Sequence, residues 1–447
     1  MNRPSEPIQE IPENLDNFSI IRNVNFNRLW GAQILSQIAQ NLLNFALIIR
    51  VFQLAEGTRL ANVSVALLIL SFGIPSIFFA AAAGVYVDHW NKKRVLLIAN
   101  LVRAVLVVGY LLVEQNLWLV LLLSFLISSA TQFFTPAEAA AIPALVSKRH
   151  LVRANSLFVF TLYASFIIGY SGSAPVIAAF GPRGPYILTA AMFGLAAILI
   201  YMLPNIKVQQ STGMRFRRVV RYTGHEILSN WRLIRSNHNL SFPILQLTIT
   251  QSILGVILAL APALSVSILG VPLQDSSHFF VIPAGIGMVL GVVIIDRLTK
   301  RYSRIRIIAT GLVFAGVALL LLGLANQLHG ATDGRAHVAH YQIGLLVAPL
   351  VFILGFMNAI VSVASQTVLQ ENTTEQTRGK VFGALNMMIN IAATLPIFFA
   401  GILADLFGVS AVVAVIGLGG VIFAGWQYYQ LKITHKLTDN PLTTSPK

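Results

Sequence analysis

The sequence predicts an all-α membrane protein of twelve transmembrane helices, arranged as two pseudo-symmetric halves of six helices each. Three observations predict this class. Hydrophobic residues make up 56% of the 447 residues and charged residues only 11%, whereas a soluble domain carries about 25% charged residues. The hydrophobic residues recur in runs of about 20, the length that spans a bilayer. The basic residues lie between these runs in a one-sided pattern.

The apolar runs set the positions of the predicted helices. We predict helices at residues 29–54, 63–87, 94–114, 116–138, 154–180, 184–204, 241–269, 277–297, 304–326, 341–369, 380–405 and 409–431. Residues 1–28 and 432–447 are then polar tails, and the basic segment 205–240 links two halves, 29–204 and 241–431. The first tail lacks the short apolar core of a cleavable signal peptide, so the first helix is expected to stay in the membrane.

The lysines and arginines predict the orientation of the helices. If residues 1–28 are cytoplasmic, only Arg59, Arg183 and Arg335 of the 31 basic residues fall in outer loops, and Arg50 and Arg103 fall inside helices. All the others lie on the cytoplasmic side, as the positive-inside rule requires. We therefore expect a multi-pass protein of the plasma membrane with both termini cytoplasmic. The net charge of +15 then reflects topology and contact with anionic membrane lipids, and no nucleic-acid partner is expected.

A charged motif follows the second predicted helix, and a related run at residues 296–301 follows the eighth. The first motif consists of Gly84, Asp88, Lys92, Lys93 and Arg94. Internal duplication is typical of secondary transporters, whose substrate site lies near the midplane between the repeats. Together with the twelve helices and the basic central segment, the motif resembles the major facilitator superfamily. That family's pattern is Gly, three residues, Asp, Arg, one residue, Gly and two basic residues; His89 and Asn91 depart from it.

Three short stretches are similar to the bacterial branch of that family that includes the enterobactin exporter and macrolide-efflux proteins. They are residues 26–30, 143–156 and 378–383. The resemblance implies alternating access by rocking of the two halves, and export of a small amphipathic compound such as a drug, siderophore or secondary metabolite. It also implies coupling to protons. However, the arginine that proton-coupled exporters carry in the middle of helix four is absent between Leu119 and Pro136, so proton coupling rests on the resemblance alone.

The motif after the second helix has the residue types of a gate. Gly84 allows close approach to a neighbouring helix, and Asp88 can accept hydrogen bonds from a facing helix N-terminus or a basic side chain. We expect this cluster to pair with the cytoplasmic end of helix eleven and to lock the outward-open state. The alternative is that the basic residues 92–94 serve only to orient the chain.

Arg103 is predicted about ten residues, or roughly 15 Å, into the third helix. A charge at this depth costs about 3 kcal/mol or more in lipid, so the side chain is expected to face the protein interior and a partner. Glu138, at the predicted end of helix four, is the first candidate and Asp88 the second. A buried Arg103–Glu138 pair either couples transport to protons or braces the first half, and the sequence leaves both open.

Polar side chains form rows on single faces of four helices. They are Gln33, Gln37, Gln40, Asn41 and Asn44 in the first helix, Gln246, Thr250 and Gln251 in the seventh, Asn358, Ser362, Ser365 and Gln366 in the tenth, and Asn386, Asn390 and Thr394 in the eleventh. Amides facing lipid would lack hydrogen-bond partners, so these rows are expected to line a cavity, as helices one, four, seven and ten do in the superfamily. Hydrogen bonding between helices is the alternative.

Other classes of function find little support. The chain has no cysteine, no nucleotide-binding loop and no HExxH pattern, so an enzyme, an ATP-driven pump and a cofactor are not expected. His329, Asp333, His337 and His340 are metal-ligand types, but their spacing does not place them on one face, so no metal is expected. We predict a monomeric transporter of a small-molecule substrate. An importer, or a sensor or scaffold with a transporter-like fold, remains open.

Overall fold

The computed structural model describes residues 22–147, 150–206, 238–269, 277–329, 336–371 and 394–438. These ranges are almost entirely helical. The α-helices in them are α1 (Val24–Ala55), α2 (Ala61–His89), α3 (Lys92–Val113), α4 (Leu117–Leu145), α5 (Leu151–Phe180), α6 (Gly184–Tyr201), α7 (His238–Leu264), α8 (Ile282–Arg301), α9 (Arg304–His329), α10 (Ala336–Glu371), α11 (Thr394–Phe407) and α12 (Val409–Thr438). Two π-helical turns, Ser265–Leu269 and Ser277–Val281, flank the connection from α7 to α8.

The apolar character of these helices fits a membrane. In the described part of the chain, 9 helices are long and apolar enough to cross a bilayer. Shorter apolar stretches lie in α2 (Ala61–Ser76), in α8 with the π-helical turn before it (Phe279–Ile295), and in α11 (Thr394–Phe407). The prediction of an all-α membrane protein is therefore confirmed. Nine of the twelve predicted spans thus have a described helix of sufficient length and apolar character, and the count of twelve stays a prediction.

The two ends of the helix bundle differ in charge. At one end, Asn23 at the start of α1 donates from Nδ2 to the carbonyl of Leu145 at 2.8 Å, and Arg28 donates to the carbonyl of Met202 at 2.8 Å. We call this the basic end, because it also carries the basic residues 92–94 where α3 begins. The opposite end carries the connections at residues 56–60, 114–116, 181–183 and 408.

Local sequence explains where several helices begin and turn. Asn23, Asn91 and Asn116 cap α1, α3 and α4 by accepting first-turn amide hydrogens, the usual role of asparagine at this position. Gly181 and Gly408 have φ values of 73° and 86° in the tight connections α5–α6 and α11–α12. These angles favour glycine because a Cβ is disfavoured there. The chain can therefore reverse its direction within a short connection between α5 and α6 and between α11 and α12.

Helix α4 is longer than the sequence predicts, and the predicted end at residue 138 is wrong. It continues through Pro136 and Pro143 to Leu145. A proline within a membrane helix removes one backbone donor, and neighbouring groups can satisfy the carbonyl that it leaves free. Glu138 consequently lies about two turns before the end of α4 and inside the first half, where it is buried.

Candidate functional site

The polar row on α1 lies at the centre of the molecule. The helix packs on α2, α5 and α6 within its own half and also contacts α7 of the other half. The side chains of Gln37, Gln40, Asn41 and Asn44 are half-buried, and Gln40 donates from Nε2 to Oδ1 of Asn44 at 2.8 Å. This row is therefore neither sealed in the core nor fully exposed to lipid. It has the accessibility that a cavity wall requires.

Helix α5 holds the row in place by close packing. A methyl group at Gly169 would lie 2.5 Å from the Cβ of Asn41 and 2.8 Å from the carbonyl of Ile38, so only glycine permits this approach. One turn further along, Ser173 donates to the carbonyl of Leu42 at 3.0 Å. Between these contacts, the Tyr170 ring packs against that of Phe166 in a tilted arrangement, with ring centres 4.5 Å apart. An aromatic and glycine-rich face of α5 thus fixes α1.

Gln33 has a different environment from the rest of the row. Its side chain is buried, and its Nε2 donates to the carbonyl of Phe158 on α5 at 3.3 Å. This is a hydrogen bond between helices, the alternative that the sequence left open. Gln33 thus contributes to packing within the first half, and its place in a cavity wall stays a prediction.

In the second half, the polar rows of α7 and α10 face each other. Asn358 donates from Nδ2 to the carbonyl of Thr250 at 3.2 Å. Gln246 is fully buried, and among the described residues neither polar atom of its amide has a hydrogen-bond partner. The buried hydroxyls of Ser362 and Ser365 also have no partner among these residues. Buried polar groups normally have partners. These groups are therefore suited to binding water or a polar ligand group.

The eleventh-helix residues Asn386 and Asn390 lie outside the described residues. Thr394, where the described part of α11 begins, is buried and packs against Gly73 of α2, where an added methyl would lie 2.7 Å from its Oγ1. Gln251 and Gln366 are half-buried. Among the four metal-ligand types, Asp333 also lies outside the described residues, whereas His329 ends α9 and His337 and His340 lie in the first turns of α10.

Arg103 is buried in the first half, as the sequence predicts, but its surroundings are aromatic. Its guanidinium lies 4.3 Å from the ring centre of Phe134 on α4 and 4.5 Å from that of Phe193 on α6. It donates to Oδ1 of Asn100, an atom that also accepts from Ser36 at 3.1 Å. Arg103 therefore connects α1, α3, α4 and α6 by hydrogen bonds and by cation–π contacts.

The predicted ion pair between Arg103 and Glu138 is not a direct contact. Glu138 is buried one turn after Phe134, and its charge interacts with that of Arg103. Arg103 and Glu138 are both described residues, and they form no ion pair within 4.0 Å. Among the described residues, Oε1 of Glu138 has no hydrogen-bond partner. The physical reason is that the Phe134 and Phe193 rings and the Asn100 amide occupy the space around the guanidinium. The coupling role of the pair stays a prediction.

The predicted gate lies at the basic end, at the junction of α2 and α3. Lys92 is buried, Arg94 is exposed, and the Lys93 ammonium lies 5.4 Å from the ring centre of Tyr201 on α6. Gly84 and Asp88 belong to α2, but the surroundings of these two residues are not described. The part of helix eleven that the gate is expected to meet also lies outside the described residues. The gating role therefore stays a prediction.

Asp405, near the end of α11, is a functional candidate to which the sequence assigned no role. Its carboxylate contacts the start of α2 in the other half. The only sequence signal for it is the spacing from Gly401 to Asp405, which repeats that of Gly84 and Asp88 at the other end of the molecule.

Apolar helices in two halves, with half-buried amides on a central helix, define an integral membrane transporter. The chain belongs to the Major Facilitator Superfamily, whose family model matches residues 29–396 and 290–441. It is 24% identical to macrolide efflux protein A of Streptococcus pyogenes, over 87% of this chain and 91% of that protein. It is 25% identical to the MFS-type transporter YfiS of Bacillus subtilis (strain 168), over 86% of this chain and 88% of that protein.

Solved structures of transporters share the fold. The nucleoside transporter NupG superposes with a TM-score of 0.68 at 16% identity, over 91% of this chain and 99% of that chain. A bacterial homologue of the human lysosomal transporter Spinster, in an inward-facing and unoccupied conformation, has a TM-score of 0.69 at 11% identity, over 92% of this chain and 97% of that chain. At these identities the likeness shows the fold alone. The predicted resemblance to the superfamily is confirmed.

Proposed function

We propose that this transporter is a monomeric secondary-active exporter of a small amphipathic compound, working by alternating access in the plasma membrane. The basic end faces the cytoplasm, where the positive-inside rule puts both termini. The observation that carries the proposal is the row of half-buried amides on α1, which gives a central and partly accessible polar surface. Likeness to macrolide efflux protein A supports export and an amphipathic substrate.

The energy source that we propose is the proton gradient, with Glu138 as the proton-binding group. Glu138 is a buried carboxyl in a half that must move during transport, and one of its oxygens has no hydrogen-bond partner among the described residues. Arg103 is close enough to affect its charge but does not neutralise it by direct contact. A carboxyl held in this way can gain or lose a proton without breaking an ion pair.

The test is uptake of radiolabelled erythromycin, as a macrolide probe, into everted membrane vesicles with an imposed pH gradient. Export from the cell appears as uptake into everted vesicles, and a protonophore should abolish it. Uptake into right-side-out vesicles alone would instead indicate an importer. Absence of transport across a panel of amphipathic compounds in both vesicle types would contradict the proposal and favour a sensor or scaffold.

A matched pair of variants tests whether the polar row on α1 binds the substrate. Gln37→Leu replaces a half-buried amide of the row, whereas Gln53→Leu makes the same change at an exposed position of the same helix. Loss of a hydrogen bond to substrate is worth about 1–3 kcal/mol, so Gln37→Leu is expected to raise KM about tenfold or more. Equal effects of the two variants would remove the α1 row from the substrate site.

A further inference from the structure

Helix α2 begins at the opposite end without a cap of its own. The residue before it is Leu60, which has no side-chain acceptor, and the first turn contains no acidic residue. The first amide groups of a helix have no partner within the helix and carry its partial positive charge. A helix that starts in this way needs an acceptor from elsewhere in the protein.

That acceptor comes from the other half of the molecule. One carboxylate oxygen of Asp405 on α11 accepts from the backbone amide of Asn62 at 3.0 Å and from its Nδ2 at 2.7 Å. The other oxygen accepts from the backbone amide of Val63 at 2.8 Å. A charged acceptor with several donors at a helix N-terminus is a strong arrangement. We call these three bonds the Asp405 cap.

The backbones around the Asp405 cap are in close contact. A methyl group at Gly401 of α11 would lie 2.7 Å from the Cβ of Ala66 and 2.8 Å from the carbonyl of Asn62. Ala66 and Asn62 are both buried. The start of α2 and the end of α11 therefore meet over just more than one turn of each helix. This contact needs the two halves to be close together at the opposite end.

We propose that Asp405 is a positioning residue for transport, which holds the opposite end of the molecule closed by capping α2 across the two halves. When the halves separate at this end, the first-turn amides of α2 lose the charged acceptor that Asp405 provides. The cap therefore stabilises the state that is closed here and open at the basic end. The role in transport rests on the alternating access of the proposed function, whereas the effect on the two halves is measurable without substrate.

Pulsed electron paramagnetic resonance on spin-labelled protein tests the Asp405 cap. The chain has no cysteine, so labels can be placed at Pro182→Cys and Ala411→Cys, two exposed positions at the opposite end of different halves. Asp405→Ala removes all three bonds, and we expect the population with a long label distance to rise on the order of tenfold. Asn62→Ala removes only one bond and is expected to give a smaller rise.

The matched control is Glu114→Ala. Glu114 is also an acidic residue of the opposite end, but its partner Arg183, at 2.8 Å, belongs to the same half. This variant should leave the label distances unchanged. Asp405→Glu, which restores a charged acceptor, should recover part of the closed population. The melting temperature of every variant is compared with that of the parent protein, to establish that the variant is folded.

An unchanged distance distribution in folded Asp405→Ala would overturn the proposal, and so would an equal change in Glu114→Ala. Should Asp405→Ala fail to fold, the label distances are measured in Asn62→Ala and Asp405→Asn instead. These variants weaken the Asp405 cap less, and a rise in the long-distance population is still expected. Because no substrate is present, a failure here is distinct from a failure of the vesicle transport test, which examines the proposed function itself.

Discussion

The guanidinium of Arg103 lies 4.3 Å from the ring centre of Phe134, and this contact takes the place that an ion pair with Glu138 would have had. The charge is stabilised by two aromatic faces and by the Asn100 oxygen, so a carboxylate in direct contact is not required. Glu138 is buried close by, and its Oε1 has no hydrogen-bond partner in the described part of the chain. The two charges are thus separately held, which allows their roles to be measured separately.

A double-mutant cycle on Arg103→Met and Glu138→Gln measures how strongly these charges interact. Because they are more than 4.0 Å apart, we expect a coupling free energy on the order of 1 kcal/mol, while Arg103→Met alone also loses the contacts with Phe134 and Asn100. The measurement is thermal unfolding in detergent. A coupling of several kcal/mol would indicate a direct ion pair instead.

Glu138→Gln tests the carboxyl as a proton-binding group. Glutamine keeps the size of the side chain but cannot exchange a proton, so we expect transport down a substrate gradient to persist and accumulation driven by a pH gradient to be lost. Everted vesicles measure both activities. Glu114→Gln is the control, because its carboxylate pairs with Arg183 away from the buried site. Normal gradient-driven accumulation by Glu138→Gln would exclude a coupling role.

Gly169→Ala tests the packing of α5 against the polar row of α1. The added methyl would lie 2.5 Å from the Cβ of Asn41, so the helices must separate, at an expected cost of about 1–3 kcal/mol in stability. Gly194 on α6 provides the matched control, since a methyl there meets no atom within 4 Å. Gly194→Ala is expected to be neutral or slightly stabilising. Similar melting temperatures for the two variants would contradict close packing at Gly169.

Asp88→Asn tests the predicted gate at the basic end. If Asp88 helps to hold the two halves together there, the variant should raise the labelling rate of Gln37→Cys by a maleimide added from the cytoplasmic side. The absence of native cysteine makes this measurement clean. Arg94→Gln, at an exposed position, should change the rate less. A rate that does not respond to Asp88→Asn would leave the basic residues 92–94 with a role in orientation only.

The opposite ends of the molecule illustrate the limits of sequence patterns. The motif of Gly84 and Asp88 was recognisable because it matches a pattern typical of the superfamily. The same spacing recurs at Gly401 and Asp405. Only the structure revealed that Asp405 caps α2, because the two segments are more than 300 residues apart in the chain and meet only when the halves pack. Spacing identifies a residue type at a helix end, but it does not identify the partner.

The sequence by itself determined the class of this protein, the number of halves and the positions of most helices, because hydrophobic length and the distribution of basic residues are properties of each segment in a bilayer. It also predicted that Arg103 is buried, since a charge at that depth is costly in lipid. The tertiary structure alone decided the partners. Phe134, Phe193 and Asn100 surround Arg103, and Glu138 stands apart, because partner choice depends on which helix faces are brought together.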